Sequence, residues 1–224
     1  MGKVIIQVDT TRHPLQLMGK EAGVCWGADS SDKDKNYKRG LSCLESGHGR
    51  VSEFPQVYLI LKGYSTRVIR ELYTHIGGAP TRLQASTRYL DYSAFDYIIP
   101  SSIENNDEAK EIYQDCMEQI QRSSVLLNSI GIPREDVANL LPLGMTTDVV
   151  IRTNLRQLID MSHQRLCSRA YWEFRQLMND IINALKEYSD EWKVIIEQEF
   201  KPKCELFGYC SEAKSCGRKP KKAT

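Results

Sequence analysis

The sequence predicts an α/β protein, and three observations carry that assignment. Short β-branched, apolar runs recur at 4–8, 57–61 and 145–151, each of strand length. Longer stretches carry apolar residues at helical spacing, above all from Asn106 onward and over 170–188. Helix starters stand where those stretches begin: Pro14, Ser65, Asn106 and Pro133. With 224 residues, 41% hydrophobic and 26% charged, the chain can bury one sizeable core. One domain over 1–200 and a Cys/Lys-rich tail over 201–224 are therefore expected.

The elements follow in order. A first strand over 4–8 precedes a helix that Pro14 opens and that runs to Trp26. Cys25, inside A-G-V-C-W-G-A, is expected to pack rather than react. After a polar gap, a second helix over 37–45 ends at Ser46-Gly47. The strand over 57–61 feeds a helix capped by Ser65 and running through Tyr73, with Val68, Leu72 and Tyr73 at helical spacing. A further strand over 97–99 is closed by Pro100. From Asn106, a long helix puts Ala109, Ile112, Cys116, Ile120 and Leu127 on one stripe, assigned to core or subunit contact. Pro133 opens a shorter helix whose Glu135 and Asp136 suit the helix dipole. The β-rich run 145–151 enters a helix that starts near Asn154. On it, Asn154, Leu158, Met161 and Arg165 share a face, because eleven residues at about 100° each return to nearly the same direction. A last helix over 170–188 buries Phe174, Leu177, Met178, Ile181 and Leu185.

Charge and cysteine usage narrow the function classes. A formal net charge of +1 argues against nucleic acid as the main partner, since duplex binders carry a clear basic excess. The basic run from Lys214 to Lys222 reads as a solvated tail. No apolar run is long enough for a bilayer and the start lacks a signal peptide, so no membrane partner and a cytoplasmic location are expected. Seven cysteines, an odd number, fit reduced thiols in that compartment. Cys204, Cys210 and Cys216 lack C-x-x-C pairs and are expected as free thiols on a mobile tail, with no bound metal.

The chemistry concentrates in residues 73–89, Y-T-H-I-G-G-A-P-T-R-L-Q-A-S-T-R-Y. His75, Thr81, Arg82, Gln84, Ser86 and Arg88 surround a Gly-Gly-x-Pro break that cannot continue a helix. By composition this is an anion-reading loop, or else a polar surface turn closing a helix at Gly77. Two further stretches bear on the choice. One is His48-Gly49-Arg50-Val51-Ser52-Glu53, and the other runs from Arg152 to Arg175 with Asn154-x-Arg156, Arg165 and Ala170 to Arg175.

Together these regions resemble the flavin-dependent thymidylate synthases, whose hallmark loop reads roughly R-H-R-x-x-S-x-N-E-x-S-x-R-Y. Ser86, Arg88 and Tyr89 match its end, His75 is the counterpart of its histidine after a shift in the loop, and Leu141-Pro142 matches a later L-P. The resemblance spans most of residues 1–188 and does not reach the tail. It implies an α/β subunit with a mixed sheet, assembled as a homotetramer with sites shared between subunits. It implies that reduced FAD, charged by NADPH, carries the one-carbon unit of methylenetetrahydrofolate to dUMP, giving dTMP without covalent attachment of the nucleotide to the enzyme. Arg88 with Ser86 would hold the nucleotide phosphate, and Glu71 and Gln84 would flank its pocket. His48, Arg50, His75, Arg82, Asn154, Arg156 and Asp160 would serve the flavin. Arg165 would face the uracil carbonyl and N3 as the catalytic group. The chain departs from the pattern at Thr74 and I-G-G in place of arginines, at Gln84 for Glu, Arg50 for Ser or Thr, and at Ala138, Asp160 and Tyr171. Two other readings remain: a flavoenzyme of the same fold acting on another pyrimidine nucleotide, and a non-catalytic nucleotide-binding assembly protein.

Overall fold

The computed structural model describes residues 2–222. Its elements are β1 (Lys3–Ile6), α1 (Pro14–Cys25), α2 (Lys33–Glu45), β2 (Gln56–Ser65), α3 (Thr66–Leu72), β3 (Thr81–Gln84), α4 (Ser101–Glu104), α5 (Asp107–Ser129), α6 (Arg134–Val137), β4 (Thr146–Asn154), α7 (Leu155–Arg165), α8 (Trp172–Tyr188), α9 (Asp190–Glu199) and α10 (Lys203–Phe207). The four strands form one sheet in the order β1-β2-β4-β3. Packed helices and a sheet match the predicted class, but the sheet is antiparallel, not mixed. Paired backbone atoms run in opposite senses along each neighbour: Gln7 to Tyr58 and Thr11 to Gln56, Thr66 to Met145 and Leu155 to Pro55. On the last edge Ala85 N donates to the Asp148 carbonyl, while Arg152 reaches back to Thr81. Strand direction was not legible because long helix-bearing connections can return the chain to either end of a sheet.

Side-chain caps set several boundaries. Ser65 Oγ accepts from Val68 N, Asn106 Oδ1 from Ala109 N and Asn154 Oδ1 from Gln157 N, starting α3, α5 and α7 where the sequence places them. Asp32 caps α2 by accepting from the backbone of Asp34 and Lys35, so that helix begins earlier than expected. The strand expected over 97–99 is only an isolated bridge between Tyr97 and Met145. Pro100 ends it by opening α4.

The chain divides into two compact units. The first comprises residues up to Lys3, Leu61–Tyr73 and Leu83–Val149. Its core gathers Phe95, Met117 and Met145, with Tyr92, Tyr97, Tyr113, Ile120 and Leu141 against them. Of the two assignments given to the α5 stripe, core does not hold for Ile112 and Cys116, which are exposed, whereas Met117 and Ser124 are buried. Ile120 keeps its assignment by packing on the cluster.

The second unit comprises Val4–Ile60, Thr74–Arg82 and the chain from Val150 onward, so the segment expected as a tail groups with it. The α8 stripe is core as predicted, with Phe174, Leu177, Met178, Ile181 and Leu185 all buried. Beyond it α9, unforeseen in the sequence, completes the start of α1. His13 precedes α1 without a side-chain cap, and the buried Glu191 carboxylate accepts from Leu15 N at 2.7 Å, Gln16 N at 3.2 Å and Gln16 Nε2 at 2.7 Å. Cys25, expected to pack, is exposed where α1 ends.

Helices α1 and α2 cross with backbones in contact, which only glycine allows. A Cβ on Gly19 would stand 1.8 Å from the Asn36 carbonyl oxygen, and one on Gly40 2.0 Å from that of Leu15. Neither obstacle is a side chain that can rotate away. Gly40→Ala is expected to lower stability by about 3 kcal/mol, the upper end of ordinary overpacking. Urea unfolding measures it, and an unchanged midpoint would mean that the crossing relaxes.

Among the described residues, no helix is long and apolar enough to cross a membrane.

Candidate functional site

The second unit holds a cluster built on the C-terminal end of α7. The Arg165 Nε donates to His75 Nε2 at 2.9 Å, and its guanidinium carbon stands 4.4 Å from the centre of the Phe174 ring. His75 meets the same ring edge-on, with centroids 5.6 Å apart. The arginine fork is thus held by a nitrogen acceptor on one element and an aromatic face on another. Because Arg165 can only donate, Nε2 must be the unprotonated nitrogen of His75 and Nδ1 must carry the hydrogen.

Electrostatics keeps the histidine in that state. His75 is only 7% exposed, and burial first, then the charges of Arg165 and Arg82, pull its pKa from 6.5 to about 4. It is neutral near pH 7. Arg82 also donates from Nη2 to the His75 carbonyl, which ties β3 to the loop start.

The loop of the signature stretch is moulded onto the beginning of α7. Gly78 has φ +67°, and a Cβ there would stand 2.6 Å from the Asn154 amide nitrogen; at Gly77 it would meet Gln157 Oε1 at 2.4 Å. The Gly-Gly pair therefore serves close approach as well as the turn. Arg152 Nη2 donates to the Ala79 carbonyl and to Thr81 Oγ1, at 3.4 and 3.3 Å. Asn154 is buried and spent on capping α7, and Leu158 and Met161, one face with it, are 1% exposed. That face, whose ends the resemblance gave to the flavin at Asn154 and to the uracil at Arg165, is inward for most of its length, and Arg165 alone extends it to the His75 cluster.

The other residues assigned to the flavin form a second group in the same unit. His48, Arg156 and Asp160 line one pocket with Gly49, Ser52 and Glu199. His48 and Arg50 line an adjoining, largely apolar pocket of about 560 Å³, with Trp26, Val51 and Phe54. Arg156 pairs with Glu53 at 2.5 Å. Cys25 and Cys43 also border the apolar pocket, and burial pushes the Cys43 thiol up, away from thiolate chemistry.

The residues assigned to the nucleotide, apart from Arg165, lie in the first unit. Gln84 donates to Thr147 Oγ1 at 3.4 Å. Ser86 Oγ accepts from Arg88 N at 3.2 Å, and Arg88 Nε contacts Glu135 Oε2 at 2.8 Å with both side chains more than half exposed. An exposed pair of this kind contributes about 1 kcal/mol at most, so a phosphate could displace Glu135 with little penalty. Glu71 lies on α3, partly buried.

Phe174 is the residue whose second duty went unseen. In the sequence it reads as one position of a core stripe, and only the fold shows that the same ring carries Arg165. Among the described residues, no group of three or more His, Cys, Asp or Glu is arranged to hold a metal ion.

Comparison with known proteins places this architecture. Residues 7–189 match the family model described as thymidylate synthase complementing protein. The flavin-dependent thymidylate synthase of Nitratidesulfovibrio vulgaris is 31% identical over 232 residues, covering 94% of this chain and 92% of the relative. That of Pyrococcus furiosus is 28% identical over 220 residues, covering 92% and 88%. The crystal structure of thymidylate synthase X from Helicobacter pylori, with FAD and dUMP, aligns with a TM-score of 0.66 at 19% identity, over 88% of this chain and 100% of that one. A family match over most of the length, joined to a relative above 30% identity, establishes that the chain belongs to the thymidylate synthase complementing protein family, the flavin-dependent thymidylate synthases.

Proposed function

We propose that this chain methylates dUMP to dTMP, with FAD as its resident redox group, methylenetetrahydrofolate as one-carbon donor and NADPH as reductant. The observation that carries the reading is the Arg165 guanidinium, held between His75 and Phe174 in a member of this enzyme family. A uracil ring becomes nucleophilic at carbon only as negative charge builds on its carbonyl and N3. A guanidinium fixed against that edge stabilises the charge without reorganising at the moment of reaction. His75 acts through Arg165, as a neutral acceptor that sets the plane of the fork. A protonated His75 would set two cations against each other and release it.

The flavin fits the second group of residues. The apolar pocket with Trp26 and Phe54 suits a planar ring system, and Arg50 and Arg156 suit its pyrophosphate, with His48 lining both pockets and Asp160 the second. Asn154, His75 and Arg82 are engaged inside the protein, so their part is to shape the loop rather than to grip the cofactor. When bound, reduced FAD supplies the electrons and carries the one-carbon unit. Arg88 and Ser86 would take the nucleotide phosphate, with Glu71 and Gln84 beside it. A homotetramer with sites shared between subunits would complete each site.

The purified protein, or the protein incubated with FAD, is expected to be yellow with about one flavin per subunit. The visible spectrum measures this. Failure to bind flavin under any condition, dUMP included, would favour a non-catalytic nucleotide-binding role. Conversion of dCMP in preference to dUMP would favour the other pyrimidine reading.

A further inference from the structure

The cysteines and basic residues of the C-terminal segment, left unused by the reaction above, meet in one place. After α10 the chain turns back: Cys210 N donates to the Pro220 carbonyl at 2.6 Å and Lys222 N to the Cys210 carbonyl at 3.3 Å. Arg218 Nη1 reaches the Leu166 carbonyl at 3.5 Å, so the segment lies against the turn between α7 and α8. The space between them is a pocket of about 380 Å³, within the range that encloses small ligands. Four of the seven cysteines line it: Cys167, Cys204, Cys210 and Cys216. Arg165, Arg169, Lys203, Arg218 and Lys219 line it too, against the single acid Glu212.

The four thiols are not equivalent. Cys210 is buried, Cys167 and Cys204 are half-buried, and Cys216 is exposed. The Ser168 hydroxyl and then the Arg218 backbone hydrogen-bond to Cys216 and hold its thiol below the usual range. An accessible sulfur whose thiolate form is favoured by hydrogen bonds, set among cations, is the setting in which thiols exchange fastest.

We propose that this pocket is a thiol-exchange site at which Cys216 forms a mixed disulfide with a small disulfide bearing carboxylates. The Cys216 thiolate attacks one sulfur of that disulfide, a new S–S bond forms as the old one breaks, and the other half leaves as a thiolate. Excess thiol reverses the step. The cations gather the anionic disulfide and offset the charge of the leaving half. Nothing in this proposal depends on thymidylate synthesis, because the product is read by mass.

The test exposes the reduced full-length protein to glutathione disulfide at low ionic strength and locates the adduct by peptide mass spectrometry. Cys216 should react about tenfold faster than Cys25 or Cys116, which are also exposed. Lys219→Gln and Arg169→Gln should each slow that reaction severalfold while leaving reaction with the neutral hydroxyethyl disulfide unchanged. Cys216→Ser should remove the fast phase. A later exchange of the adduct for a disulfide between Cys216 and another pocket cysteine also supports the proposal, because it begins with the same attack. Equal reactivity at Cys25 or Cys116, charge variants that slow both probes alike, or stoichiometric zinc protecting these thiols would each overturn it.

Discussion

Arg165→Ala is expected to abolish most methyl transfer while leaving flavin content nearly intact. Removing a preorganised donor from the point where negative charge develops costs about 2.7 to 4 kcal/mol, or roughly a hundred- to thousandfold in turnover. Of the residues assigned to the flavin, His75 touches Arg165 but is turned inward with Arg82 and Asn154, and the four left to grip the cofactor, His48, Arg50, Arg156 and Asp160, line pockets that Arg165 does not border. Flavin content should therefore survive the change. Arg165→Lys should restore little, since an ammonium cannot both donate sideways to His75 and present a planar fork to a pyrimidine edge. The variant leaves His75 Nε2 without its donor, so thermal unfolding must accompany the kinetics. A folded, flavin-loaded Arg165→Ala protein with wild-type turnover would remove Arg165 from the chemistry altogether.

The second large effect is on stability. In the native state His75 stays neutral down to about pH 4, whereas the unfolded chain protonates it near 6.5. Between those values the unfolded state binds a proton that the native state refuses, so stability must fall as pH falls. The contribution is fully present above about pH 6.5 and is lost by about pH 4. The size is about 3 kcal/mol, from the shift and about 1.36 kcal/mol per unit. His75→Gln keeps a neutral acceptor for Arg165 and removes the titration. Urea unfolding between pH 7 and 4 should therefore show a shallower slope for the variant. Asp29 and Asp32, whose carboxyls are held below 3.8 by hydrogen bonds from Ser31 and from Lys35 respectively, contribute their own losses at lower pH and do not confuse the window. Equal slopes for variant and wild type would show that His75 is not held neutral by its surroundings.

How much of this was legible depended on how local the cause is. Caps such as Ser65, Asn106 and Asn154 act within three residues, so the starts of α3, α5 and α7 could be read directly. The α8 stripe was equally plain, because its five apolar positions all face one core. On α5 the same reasoning left core and subunit contact open, and Ile112 and Cys116 lie outside this core: apolar residues lie on more than one side of that helix, and periodicity alone does not say which side the tyrosines of the loop will cover. β3 was missed because Thr81–Gln84 is short and mostly exposed, without the alternation that marks a half-buried strand. For α9 the deciding contact is Glu191 with Leu15, 176 residues away in sequence.

The candidate site divides along the same line. His75 and Arg165 were each singled out, one by its loop and one by its helix face, yet their hydrogen bond spans 90 residues and no local pattern announces it. Nor does composition reveal that Asn154 is consumed by capping, or that Gly77 and Gly78 lie against Gln157 and Asn154. The lost arginines of the signature loop make sense in this light. Where the family pattern has arginines, the I-G-G run here presents backbone packed on the start of α7, while Arg50 and Arg156 line the pockets proposed for the flavin.

On the proposed reading this chain makes thymidylate from dUMP, with Arg165 at the pyrimidine. The most direct measurement is a single turnover by the flavin-loaded, pre-reduced protein, with dUMP and methylenetetrahydrofolate labelled in its methylene carbon. The expected product is dTMP carrying the label in its methyl group, formed at a rate that Arg165→Ala lowers at least about a hundredfold. Unchanged dUMP after reduction and folate addition, or label appearing in a different pyrimidine product, would contradict it.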